Sequence, residues 1–141
     1  MIRLALPLLA LALPVGEAGA AVDQQVVQFR FCHGGARTDC VVDGDTFWLR
    51  GEKIRIADID TPETHQPRCG AERTMGLRAT QRLHLLLNAG AFSLQPVARE
   101  KDRYGRTLRV VRRGGRSIGA MLVMEGLARP WTGSRQPWCR S

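Results

Sequence analysis

The stretch Cys40-Val41-Val42-Asp43-Gly44-Asp45-Thr46-Phe47-Trp48-Leu49-Arg50, continuing through Gly51-Glu52-Lys53-Ile54-Arg55-Ile56-Ala57-Asp58-Ile59 to Asp60-Thr61-Pro62-Glu63, decides the fold. Its first part is rich in the β-formers Val41, Val42, Thr46, Phe47, Trp48 and Leu49, so 40–50 reads as a strand. Asp43-Gly44 interrupts that strand as a bulge or a tight bend. Gly51-Glu52 turns the chain into a second strand over 53–59. Asp60-Thr61-Pro62-Glu63 ends it, because proline cannot donate to a ladder.

Outward from this hairpin the pattern stays short and mixed. Val26 to Phe31 alternates apolar and polar residues as a half-buried strand does, and Gly34 to Thr38 reads as a turn. A helix is expected from Ala71 to Asn88: Met75, Ala79, Leu83, Leu86 and Leu87 recur at helical spacing, with Arg78 and Arg82 on the other side. Glu72 lies in its first turn, where negative charge is favoured, and Gly90 stands just past its end. Strands follow over 92–97 and 107–111, separated by a polar loop, Lys101 to Arg106. Ser117 can cap a short helix through Met124, and residues 129–141 read as irregular. Many short strands with one long and one short helix indicate a small, mainly β barrel in the α+β class. An OB-fold fits this order, though other folds would fit it too.

Residues 1–20 have the form of a secretory signal: Arg3, an uncharged apolar run from Leu4 to Val15, then Ala18-Gly19-Ala20. The run is shorter than the ~20 residues that span a bilayer, and no other stretch is apolar enough to do so. The remaining 21–141 suit one small domain with one core, exported to the periplasm or secreted, without a membrane anchor. Export permits disulfides, and Cys32, Cys40, Cys69 and Cys139 are an even set. Spacing alone does not choose among the three pairings. His33-Gly34-Gly35 can turn the chain between Cys32 and Cys40, which favours that pair and leaves Cys69 with Cys139. The lack of a Cys-x-x-Cys pair speaks against zinc. The net charge is +8, and Arg3 and Glu17 offset each other, so export would not change it. Such a balance favours a polyanionic partner, nucleic acid first, although the arginine bias also fits a GC-rich genome.

Three segments put polar residues where a plain core strand would not. Arg55 breaks the apolar run of Ile54, Ile56 and Ile59. It is either an outward-facing arginine or one paired with an anion. Asp45 and Asp60 fall on strands that should be neighbours, and two carboxylates with a backbone carbonyl and waters suffice for Ca²⁺. Each could instead cap a turn, as Asp43 is read to do. Glu63 follows a proline and could accept a proton from water or aim it. Asp102-Arg103-Tyr104-Gly105-Arg106 is the third segment. Together these groups suit phosphodiester hydrolysis, which needs phosphate charge neutralised and a water aimed at phosphorus.

Val42-Asp43-Gly44-Asp45-Thr46, then Arg55 with Asp60-Thr61-Pro62-Glu63, then Asp102-Arg103-Tyr104-Gly105-Arg106, with Glu125-Gly126-Leu127-Ala128 after the second helix, resembles the staphylococcal nuclease family. The resemblance covers about Val41 to Leu127. It implies a five-stranded OB barrel and a calcium-dependent endonuclease acting on DNA or RNA, leaving 3′-phosphate ends; a monomer is expected. By resemblance Asp45, Asp60 and the Thr61 carbonyl would bind Ca²⁺, and Glu63 would be the general base or would orient the water. Arg55 and Arg106 would hold the scissile phosphate, and Asp102, Arg103 and Tyr104 would serve substrate binding. This sequence departs from the best-known member in several places, and the tyrosine that lines the base pocket there has no clear match. The hairpin through Gly51 is shorter. His65-Gln66-Pro67-Arg68-Cys69 replaces a long loop. The chain ends in Trp131, Pro137, Trp138 and Cys139 without an evident third helix. Trp131 could stack on a base or plug the core. The contrasting reading is a non-catalytic OB module that binds single strands.

Overall fold

The computed structural model describes residues 22–140, so the signal-like segment lies outside the described residues. The chain opens with β1 (Arg30–Phe31), β2 (Cys40–Asp43), β3 (Thr46–Leu49), β4 (Glu52–Ile56) and β5 (Ile59–Asp60). The strand expected over 40–50 is therefore two, paired antiparallel with Val41 opposite Phe47 and Asp43 opposite Thr46. The reversal has a local cause. The Asp43 carboxylate accepts the Asp45 backbone N–H at 3.2 Å, closing an Asx turn. Between β3 and β4 the chain reverses in two residues, Arg50 at φ 49° and Gly51 at φ 82°. Two left-handed residues in succession make a turn whose twist matches the strands.

Helix α1 (Gly70–Asn88) follows, then β6 (Ser93–Lys101), β7 (Thr107–Arg113), β8 (Arg116–Ser117), α2 (Ile118–Met124) and β9 (Arg129–Pro130). The sheet runs β1-β2-β3-β4-β7-β6, with β8 on β7, and β4 lies parallel to β7. Taken alone, the five longer strands form the OB-fold, the last inserted between the third and fourth. The pairing of β6 with β7 shifts register between Pro96 and Lys101, where proline removes a ladder donor and lets the strand bend.

The alternation of Val26 to Phe31 marks burial more than pairing. Only Arg30 and Phe31 join a ladder, because this segment crosses between the two sheet edges: Gln25 bridges to Phe92 beside β6, and β1 pairs with β2. Phe29 is buried and meets Phe47 edge-on at 5.7 Å. The core joins these rings to Ile54, Ile56, Leu83, Leu87, Phe92 and Leu122. Cys32 is bonded to Cys40 and Cys69 to Cys139, the pairing expected. The second bridge spans 70 residues. Closing so long a loop is worth about 4 kcal/mol by chain entropy. Among the described residues no helix is long and apolar enough to cross a membrane.

Candidate active site

The β3–β4 pairing sets Thr46 opposite Arg55, and the Ile56 N–H donates to the Asp45 carbonyl at 2.8 Å. Asp60 is brought alongside by β5, which is held by β9 with Asp60 opposite Arg129. Asp45, Thr46, Arg55, Asp60 and Thr61 are all buried. Arg55 is thus no outward-facing surface arginine. Its Nη1 donates to the carbonyls of Ile56 and Ile59, the latter at 3.0 Å. That anchorage leaves Nη2 3.6 Å from Asp45 Oδ2 and 3.8 Å from Asp60 Oδ1. These are ion-pair separations, longer than hydrogen bonds. Asp45 also accepts from the Thr46 hydroxyl at 3.0 Å and the Thr61 N–H at 3.2 Å.

The carboxylates are under electrostatic load. Burial pushes the Asp60 carboxyl above its ordinary range, with Arg135 opposing and Asp45 adding to the rise. Asp43 is pushed up further, by burial and then by the charge of Asp45. Asp60 Oδ1 is buried without a hydrogen-bond donor, which is costly for an anionic oxygen. A hard cation would satisfy it. Asp45, Asp60 and neighbouring Thr61 offer the oxygen donors that Ca²⁺ prefers. The thiol–carboxylate cluster of Cys69, Cys139 and Glu72 offers no thiolate, since its cysteines are joined to each other.

Close packing holds the loops that carry these groups. A Cβ on Gly44 would stand 2.6 Å from the Ala79 Cβ and 2.9 Å from the Thr61 side chain, so only glycine lets the Asp45 turn lie on α1. Glu63 is half-buried on the next loop. There the Glu72 carboxylate, in the first turn of α1, accepts the Glu63 N–H at 3.4 Å and the Arg68 N–H at 2.6 Å. Helix α1 therefore positions Glu63 as well as filling the core.

Arg106 enters from the β6–β7 loop. Asp102 organises that loop, accepting from the N–H groups of Tyr104 and Arg106 at 2.9 and 3.0 Å and from Arg106 Nε at 2.7 Å. Burial alone would raise the Asp102 carboxyl, but the Arg106 and Tyr104 donors outweigh it and hold it low. A depressed carboxylate stabilises the fold above its unfolded pKa, ~3.9, and that contribution is lost as pH falls through the folded value. Asp102→Asn should accordingly shrink the loss of stability on acidification; urea titrations of both proteins between neutral and acid pH would show it. An unchanged acid limb would leave the loop to Gly105 and Tyr104. The Tyr104 ring is exposed and lies under both Arg103 and Arg106, at 4.9 and 5.4 Å.

The tail is the part the sequence did not place. The Trp131 N–H donates to the Asp58 carbonyl at 2.9 Å, and the Trp131 ring covers the Arg55 guanidinium at 5.1 Å. Trp131 is 40% exposed on the wall of a cleft, not a core plug. The Trp138 indole N–H donates to Asp60 Oδ2 at 3.3 Å. Between them Arg135 pairs with Glu63 and brings its Nε 3.5 Å from Asp60 Oδ1. A 760 Å³ cleft brings together Arg55, Asp102, Arg103, Tyr104, Arg106 and Trp131. Glu63 opens on a second cleft of 410 Å³ with Glu72 and Trp138, and Arg135 lines both. Arg135 and Trp138 had one available signal. Pairing Cys139 with Cys69, just beyond Glu63, obliges the tail to pass the carboxylates.

The profile of the family described as Staphylococcal nuclease homologue matches residues 53–138, well over half of the chain. The chain belongs to this family. Proteins similar to it include Endonuclease YncB of Bacillus subtilis (strain 168), 36% identical over 96 residues, which are 64% of this chain and 45% of that protein. Thermonuclease of Staphylococcus hyicus is 36% identical over 93 residues, 63% of this chain and 54% of its own. Micrococcal nuclease of Shigella flexneri is 38% identical over 101 residues, 62% of this chain and 53% of its own. The chain thus spans about half the length of these curated relatives.

Proposed function

We propose that this member of the staphylococcal nuclease family is a metal-dependent phosphodiesterase that cuts DNA or RNA internally. The observation that carries this reading is the burial of Asp45, Arg55 and Asp60 as one cluster beside the cleft that Arg106 lines. Asp45, Asp60 and the Thr61 carbonyl would hold Ca²⁺. The ion would supply neutralising charge to a bound phosphate. Arg55, fixed by two carbonyls, and Arg106, fixed by Asp102, present guanidinium groups to that phosphate at little reorganisation cost. Glu63 takes a proton from the attacking water or aims it, and cleavage leaves 3′-phosphate ends. Arg103 and Tyr104 flank the same cleft and bind the neighbouring phosphate and sugar, while the exposed face of Trp131 offers a base a stacking partner.

We also read the protein as exported, to the periplasm or beyond, and as a monomer. The two disulfides fit an oxidising compartment, and a net charge of +8 disfavours self-association.

The test is release of acid-soluble fragments from single-stranded DNA by the disulfide-intact protein, with Ca²⁺ and with EDTA. Hydrolysis should require Ca²⁺, and Glu63→Gln should lower turnover by about 10²–10⁴-fold, the range for a lost general base. Hydrolysis supported by Mg²⁺ alone would overturn the calcium assignment. Tight binding with no cleavage under any divalent ion would replace the nuclease with a single-strand-binding module.

A further inference from the structure

Arg135 sits on the two carboxylates that the proposed reaction needs most. Its guanidinium pairs with Glu63 Oε1, and its Nε lies 3.5 Å from Asp60 Oδ1, an oxygen with no hydrogen-bond donor. It lines both clefts, and so stands between Glu63 and the arginines of the phosphate cleft. This is not a surface arginine that happens to swing inward. Residues 131–139 form a strap fixed on both sides of it. At one end the Trp131 N–H is bonded to Asp58; at the other Trp138 is bonded to Asp60 and Cys139 to Cys69. With its ends fixed, the strap keeps the guanidinium at a high effective concentration over the carboxylates. The Arg135 side chain remains 44% exposed, so an open path lets it leave.

A divalent ion on Asp60 and a guanidinium on the same carboxylate repel each other. Two like charges held on one carboxylate repel strongly at the effective dielectric of a partly buried site, enough to weaken ion binding by at least tenfold. We propose that Arg135 is a tethered cation that competes with the divalent ion for Asp60 while it pairs with Glu63, so that the strap fastened by Cys69–Cys139 sets the metal affinity of the site. This rests on the metal assignment proposed above. It goes beyond that assignment by giving the tail disulfide a role at the site: opening it would let Arg135 drift away and the ion bind more tightly.

The experiment is calorimetric titration of Ca²⁺ into the protein without nucleic acid. The proteins are the parent, Arg135→Ala, Arg135→Lys, the double variant C69S/C139S, and the triple variant combining it with Arg135→Ala. Serine at position 69 keeps a capping oxygen for α1, and Cys32–Cys40 stays intact. Thermal melting without Ca²⁺ establishes that each is folded. Arg135→Ala should bind Ca²⁺ at least tenfold more tightly than the parent, and Arg135→Lys should stay near the parent because it keeps the charge. C69S/C139S should bind several-fold more tightly, and the triple variant no more tightly than Arg135→Ala alone. That non-additivity identifies one shared cause. Equal or weaker binding by Arg135→Ala overturns the competition, as does equal tightening by the alanine and lysine variants, which would mark a packing effect. Asp60→Asn separates the two levels of the argument: if Ca²⁺ binds none of the proteins, or binds Asp60→Asn like the parent, the metal assignment itself falls.

Discussion

Replacing Arg55 with alanine is expected to lower nuclease turnover by about 10²–10³-fold and to cost ~3–5 kcal/mol of stability. The two effects have one origin. Arg55 is 5% exposed and is the buried cation between Asp45 and Asp60. Removing one member of a buried charge cluster leaves the others unpaired, which costs far more than the intact pairing contributes. The same guanidinium, held by the Ile56 and Ile59 carbonyls, meets phosphate charge as it builds. Arg55→Lys should recover part of the stability but little of the rate, since an ammonium lacks the fork that bonds carbonyls and phosphate together. Urea unfolding and turnover at saturating Ca²⁺ measure the two effects separately. Full activity in Arg55→Ala would remove Arg55 from the phosphate; unchanged stability would mean that pairs at 3.6 and 3.8 Å contribute nothing to the fold.

Much of this site was legible because its parts are local. Asp43-Gly44-Asp45 and Asp60-Thr61-Pro62-Glu63 each sit where a strand must end, and the hairpin register brings Asp45 beside Arg55, while Asp60 is added by the β5–β9 pairing. The helix stripe gave α1 to within a residue, because burial repeats every turn. What escaped was decided by distant contacts. The alternation of Val26 to Phe31 reported which side chains are buried, yet a segment crossing between sheet edges forms little ladder. Glu72 reads as a favourable charge at a helix start, and nothing local says that its carboxylate holds the Glu63 loop. Arg135 reads as one more basic residue on a chain of charge +8. Only the Cys69–Cys139 bridge turns it into a neighbour of the carboxylates, and the consequence of that bridge is three-dimensional.

Gly76 supplies the sharpest conflict between local and distant reasoning. It lies inside α1, where alanine is favoured over glycine by about 1 kcal/mol. On propensity alone Gly76→Ala should stabilise the protein. The structure predicts the reverse. A Cβ there would stand 2.7 Å from the Pro62 carbonyl oxygen, 2.9 Å from the Thr64 side chain and 3.0 Å from the Glu63 carbonyl oxygen. Two of these neighbours are backbone and cannot rotate aside, so the loop must lift from the helix. Overpacking of this kind costs ~1–3 kcal/mol, enough to cancel the propensity gain and leave the variant less stable. The loop that lifts is the one carrying Glu63, and a displacement near 1 Å from a reacting position can cost about 10²-fold in rate. Turnover at saturating Ca²⁺ should therefore fall by about that factor, with KM little changed because the Arg106 cleft is untouched. Gly70→Ala is the control: it lies on the same helix with nothing within 4 Å of an added Cβ, so it should keep full activity and the parent's stability or better. If Gly76→Ala proved more stable and equally active, the contact between α1 and the loop would not be what places Glu63, and the Glu72 hydrogen bonds would have to hold it alone.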